Sequence, residues 1–121
     1  MGLPRDCRLT RKQQFDRVLS ERTTQLRQGP FRVYAMANGQ RCARLGLIVG
    51  KRQAKRAVDR NRIKRALRES FRNGRLALPS VDVVVQLMES VVPGELAVDA
   101  EGLWVVLSDA FEKENAGRKS A

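Results

Sequence analysis

The chain has 121 residues, about 42% of them apolar and 31% charged, which suits one soluble domain with a core of its own. Its formal net charge is +11, with 18 Arg among the 24 basic residues, so a polyanionic partner is expected, RNA or DNA before loose charge screening. Histidine is absent, and the two cysteines, Cys7 and Cys42, form no CxxC pair. That removes the commonest general base and the usual zinc spacing, and leaves two thiols expected to stay reduced. No apolar signal core and no membrane-length run occurs, so the sequence reads as cytoplasmic with no membrane partner.

Leu3 to Thr10 reads as extended. Thr10 is a plausible N-cap, with Gln13 at the capping-box position. The spacing of Phe15, Val18 and Leu19 then predicts a helix from Arg11 to about Ser20, basic at Arg11, Lys12 and Arg17. Glu21 to Gln28 is polar and reads as a short strand or an extended arm. Gly29-Pro30 marks a turn. Phe31, Val33 and Ala35 alternate with Arg32, Tyr34 and Met36, a strand signal of period two. After a second turn at Asn38-Gly39, Ala43 to Gly50 is the next strand. The two strands are expected to pair as an antiparallel hairpin, with Gly46 and Gly50 marking a bulge or a close backbone approach.

The basic charge is concentrated in the middle of the chain. Lys51 to Arg75 hold 11 Lys or Arg against Asp59 and Glu69, whereas the last 46 residues carry a net −5. Ile63, Ala66, Leu67, Ser70 and Phe71 recur at helical spacing from about Arg56 to Asn73, with Gly74 as the C-cap signal. Asn61, Arg62, Lys64, Arg65, Arg68 and Arg72 fill the side away from that stripe. Arg60, Lys64, Arg68 and Arg72 form a ladder of like charges four residues apart, each pair costing a few tenths of a kcal/mol, about 0.2–0.5. A bound polyanion relieves such a ladder. Glu69 can pair with Arg65 or Arg72. Val81 to Leu87 is β-branched and reads as a buried strand. Leu103, Val106, Leu107, Ala110 and Phe111 predict a last amphipathic helix, and 116–121 a disordered tail. The expected fold is α+β: a single sandwich domain over 1–115, in the order α-β-β-(β)-α-β-α.

Phe31 reads as core. Tyr34 is out of phase with it and faces the other side of the sheet. With Phe15 on the first helix it would line an aromatic cleft on an exposed sheet face, where bases of a single strand can stack. Catalytic candidates are thin: Asp6, Asp16 and Glu21 stand alone, and no paired carboxylates share a face. No protein active site and no protein-bound metal is expected.

The run LGLIVGKRQAKRAVDRNRIKRALRESFR, residues 45–72, resembles the signature region of the bacterial ribonuclease P protein subunit. Its centre is the Arg60-Asn61-Arg62 helix. Arg8-Leu9, Phe15, the strand of Phe31, Val33 and Tyr34, and Asp82 to Val85 agree in order and spacing. The resemblance implies an accessory subunit of an endoribonuclease that removes the 5′ leader of precursor tRNA. Catalysis and its Mg2+ would lie in the RNA subunit, with no cofactor on the protein and no DNA partner. It further implies that Lys51, Arg52, Lys55, Arg56, Arg60, Asn61, Arg62, Lys64, Arg65, Arg68 and Arg72 contact the catalytic RNA. Arg8, Arg11, Phe15, Leu19 and Tyr34 would line the leader cleft. The implied fold is ribosomal protein S5 domain 2-like with a left-handed βαβ crossover, against the usual hand. Two departures stand out: Gln86-Leu87-Met88-Glu89 occupies a stretch where the family usually has cations, and Leu19 stands where many members have Phe. The alternative is a ribosomal or other structured-RNA binding protein with no role in cleavage.

Overall fold

The computed structural model describes residues 7–40, 42–74, 78, 80–91 and 102–110. The elements are α1 (Lys12–Glu21), β1 (Thr24–Gln28), β2 (Phe31–Ala37), β3 (Arg44–Ile48), α2 (Ala57–Gly74), β4 (Val81–Leu87) and α3 (102–110). This is a mixed α+β fold of three helices and one sheet. The expected 116–121 tail and Phe111 lie outside the described residues.

The start of α1 falls one residue later than expected. Arg11 is the N-cap, and the side chain of Gln14, not Gln13, accepts from the Thr10 and Arg11 amides at 2.9 and 3.0 Å. At the other end the Arg22 guanidinium donates to the Leu19 carbonyl, closing the helix. The polar segment after it is a strand, β1, and pairs with β2 across a turn where Gly29 takes φ 55°.

The expected hairpin of β2 with β3 does not form. The strand order is β1-β2-β4-β3, and β4 lies between them, antiparallel to β2 and parallel to β3. The reason is the connection: β3 runs into α2, which carries the chain back so that β4 enters alongside β3 in the same direction. The side chains of β4 suit that central place. Val81, Asp82, Val83, Val84 and Val85 are all buried, as a strand covered on both faces and paired on both edges requires.

Alternation along β2 divides the core in two. Phe31, Val33 and Ala35 join Leu45, Val83 and Val85 under α2 and α3, meeting Ile63, Leu67 and Phe71. On the opposite face Tyr34, Met36 and Val84 pack with Leu9 and Val18, and Phe15 and Leu19 close over them. Gly46 sits in that second layer because α1 presses on it: a Cβ there would stand 2.7 Å from Phe15 Cε1 and 3.0 Å from Leu9 Cβ. The close approach foreseen at Gly46 is therefore by a ring, not by backbone. In α3 the buried stripe is Leu103, Trp104 and Leu107, while Val106 is exposed. Trp104 displaces the expected Val106 because its ring meets Phe71 edge-on, centroids 5.1 Å apart, and its indole N–H donates to Ser70 Oγ at 2.7 Å.

Asp82 is the buried carboxylate of β4. Arg44, its register partner on β3, grips both oxygens at 2.6 and 2.7 Å, and Asn38 Nδ2 donates to Oδ1 at 3.0 Å. The hydrogen bond to Asp82 holds the Arg44 guanidinium above its ordinary pKa. Removing one partner of a buried pair strands the other, at about 3–5 kcal/mol when both are fully enclosed. Arg44 keeps some solvent contact, so Asp82→Ala is expected to cost about 2–4 kcal/mol in urea unfolding. The double variant Asp82→Leu/Arg44→Met should regain most of that, and a single-variant loss below about 0.5 kcal/mol would mean that the pair does not hold the register.

Candidate nucleic-acid interface

The basic helix is fixed by three side chains one turn apart. Ile63, Leu67 and Phe71 are buried under the sheet, which leaves Asn61, Arg62, Arg65 and Glu69 exposed on the outer face. Lys64, Arg68 and Arg72 are half-buried along one flank. Lys51, Arg52, Lys55 and Arg56 are exposed in the connection that leads into α2. Arg60 has a structural task as well: its Nη1 donates to the carbonyls of Ala54 at 3.0 Å and Lys55 at 2.9 Å, bracing that connection.

Of the two partners foreseen for Glu69, the structure selects Arg72. That hydrogen bond holds the Glu69 carboxyl below its usual range and raises Arg72. Arg68 differs: burial lowers its pKa, and the charge of Arg8 lowers it further.

The second surface lies on the other side of the sheet. Phe15, Leu19 and Tyr34 do come together there. The face is not open, as the sequence suggests, because α1 covers it and leaves Tyr34 only 7% exposed. The Tyr34 hydroxyl reaches Gln86 Oε1 at 3.4 Å. Arg22, which the sequence does not single out, holds its guanidinium 5.2 Å above the Tyr34 ring and donates to Gln25 Oε1 at 2.7 Å. Arg32 is a second addition. It pairs in register with Gln86 and, two residues from Tyr34 on β2, shares the face of that ring. Period two could have found Arg32, whereas nothing local marks Arg22. Arg27, one strand further, is held by Glu89 at 2.6 Å. Arg11 is exposed at the start of α1. Arg8 is not with this group. It bridges to Leu45 at the free edge of β3, and Leu45 belongs to the layer under α2.

An α+β domain with a cationic helix on one side of its sheet and Phe15, Leu19 and Tyr34 gathered on the other has the marks of an RNA-binding protein. The sequence model of the Ribonuclease P family matches residues 3–108. The ribonuclease P protein component of Thioalkalivibrio sulfidiphilus is 41% identical over 110 residues, covering 88% of this chain and 91% of that one. That of Bordetella parapertussis is 44% identical over 100 residues, 78% and 80% of the two chains. Among solved structures, the Staphylococcus aureus RNase P protein superposes with TM-score 0.73 at 25% identity, covering 87% of this chain and 97% of that one. The Thermotoga maritima RNase P protein gives 0.61 at 26%, covering 88% and 92%. The chain belongs to the ribonuclease P protein component family, a family of RNA-binding subunits in tRNA processing.

Glu69→Gln removes the exposed acid from the outer face and frees Arg72. RNA affinity in about 0.1 M salt should rise roughly two- to five-fold, the equivalent of one weak surface ion pair. Filter binding on a structured RNA measures it, and unchanged affinity would place RNA away from this end of α2.

Proposed function

We propose that the protein binds the catalytic RNA of ribonuclease P through the outer face of α2 and the connection before it. It takes the 5′ leader of precursor tRNA between α1 and the sheet, and so promotes endonucleolytic removal of the leader. The observation that carries this reading is the placement of the two surfaces on opposite sides of one sheet. One protein can then hold two RNAs whose backbones repel each other. Lys51, Arg52, Lys55, Arg56, Arg60, Asn61, Arg62, Lys64, Arg65, Arg68 and Arg72 serve the catalytic RNA. Arg11, Phe15, Leu19 and Tyr34 serve the leader. Arg32, beside Gln86, supplies the cation that Gln86 lacks.

The protein's part in the reaction is positioning. Among the described residues no three His, Cys, Asp or Glu stand together as metal ligands. This reading assigns the Mg2+ to the RNA subunit. Among the described residues, no helix is long and apolar enough to cross a membrane. A cytoplasmic setting alongside tRNA belongs to the same proposal. So does the ribosomal protein S5 domain 2-like topology, with a left-handed β3–α2–β4 crossover.

The test is reconstitution with a bacterial ribonuclease P RNA and a precursor tRNA at low magnesium. The protein should stimulate leader removal. RNA binding without stimulation would favour a structured-RNA binding protein instead. If about six to eight phosphates are neutralised, log K for the RNA should fall with log salt at a slope of roughly −5 to −7, and a near-flat dependence would count against the α2 face.

The two surfaces are expected to separate under mutation. Arg65→Ala should weaken assembly with the catalytic RNA. Tyr34→Ala should weaken binding of precursor tRNA to the holoenzyme by roughly five- to a hundred-fold, the worth of one lost stacking platform, and leave mature tRNA unaffected. The same defect in both variants would mean one surface, not two.

A further inference from the structure

The edge of β3 presents an unusual pairing of cations. Leu9 N donates to the Leu45 carbonyl at 2.8 Å, and Arg8 pairs with Leu45 as a parallel bridge. This short continuation of the sheet sets Arg8 on the side that α2 covers. Arg68 lies on α2 directly after the buried Leu67 and is half-buried itself. The two charges are near enough for Arg8 to depress the ionisation of Arg68, on top of what burial does. Arg8 Nε is shut off from solvent and has no hydrogen-bond acceptor. Among the described residues no carboxylate forms an ion pair with either arginine; Glu69, next along the helix, is taken by Arg72.

A buried N–H without an acceptor costs free energy, and so does the approach of two like charges. An anion with two accepting oxygens that both guanidinium groups reach would relieve both costs. A backbone phosphate offers two non-bridging oxygens, and Arg binds such oxygens in pairs.

We propose that Arg8 and Arg68 form one site for a single RNA backbone phosphate, at the free edge of β3 and continuous with the α2 face. The proposal rests on the RNA-subunit reading of α2. It moves Arg8 from the leader cleft, where the family resemblance put it, to the surface that holds the catalytic RNA. Arg8 thereby lengthens that surface beyond the helix, onto the arm before α1.

The experiment is a double-mutant cycle on the full chain with Arg8→Gln, Arg68→Gln and the pair. Affinity for ribonuclease P RNA is read across salt, alongside precursor and mature tRNA binding to the assembled holoenzyme. Each single change should weaken RNA binding roughly five- to thirty-fold. The double should lie within about three-fold of the worse single, because one phosphate is lost only once. All three should flatten the salt slope by about 0.7–0.9. Arg8→Lys, which keeps the charge and loses the fork, should regain only part. Without RNA, Arg8→Gln should unfold no earlier than the wild type, since it relieves a repulsion. Singles that multiply in the double, or an Arg8→Gln defect confined to precursor tRNA, would overturn the site. A wild-type chain that ignores ribonuclease P RNA would instead overturn the functional reading. The same cycle on a polyuridylate oligomer then decides the site: coupling upholds it, and additivity removes it.

Discussion

The rest of the structure depends on β4 having both edges paired and both faces covered. A strand in that position can carry a carboxylate only if the carboxylate is fully engaged, and Asp82 is, by Arg44 and Asn38. The engagement fixes the register of β3 on β4. A slip of β3 by one residue would turn Leu45 away from α2, and a slip of two would strand the Asp82 charge. The connection from β3 into α2, residues 49–56, is braced by Arg60 on the carbonyls of Ala54 and Lys55, so the register of β3 bears on where the basic helix begins. The ion pair at one end of the sheet thus bears on the placement of the cationic surface.

That helix keeps its place against its own charge. Repulsion in the ladder of Arg60, Lys64, Arg68 and Arg72 amounts to a few tenths of a kcal/mol per pair, about 0.2–0.5. Burial of Ile63, Leu67 and Phe71 contributes roughly 1.5–3 kcal/mol for each side chain. The core term wins by several-fold, so the ladder does not dislodge α2. The structure also weakens the ladder at two points. Arg72 is neutralised by Glu69, and Arg60 turns a donor to the carbonyls of Ala54 and Lys55.

The sequence discloses whatever is set by local period. The 3.6-residue spacing of Ile63, Leu67 and Phe71 and the period-two split of Phe31 and Val33 from Tyr34 both hold. Pairing partners are another matter. Nothing in Ala43 to Gly50 says that its neighbour is a strand more than thirty residues on rather than β2. The clue lies in β4, whose unbroken apolar run suits a central strand and no edge. Trp104 escapes notice because period alone does not weigh a ring that can bury its face and still place its N–H on Ser70. The spacing from Leu103 to Leu107 thus predicts the right helix with its stripe rotated. The side that Arg8 takes is decided by a bridge to Leu45, a contact with no local signature.

In the cleft between α1 and the sheet, Tyr34 is already occupied. The guanidinium of Arg22 lies over its ring and is steadied by Gln25 and the Leu19 carbonyl. A cation over an aromatic ring contributes about 0.5–1 kcal/mol at exposed sites and about 2 kcal/mol where the ring is desolvated, as Tyr34 is at 7% exposed. A nucleobase stacked on such a ring contributes roughly 1–3 kcal/mol. On the proposed leader path, a base that stacks on Tyr34 must displace Arg22, and the two contributions are of similar size. On that reading, Arg22 and Arg32 are the cations nearest to the places where Leu19 and Gln86 depart from the family pattern. Arg22 shields the ring, and Arg32 stands beside Gln86 on the neighbouring strand.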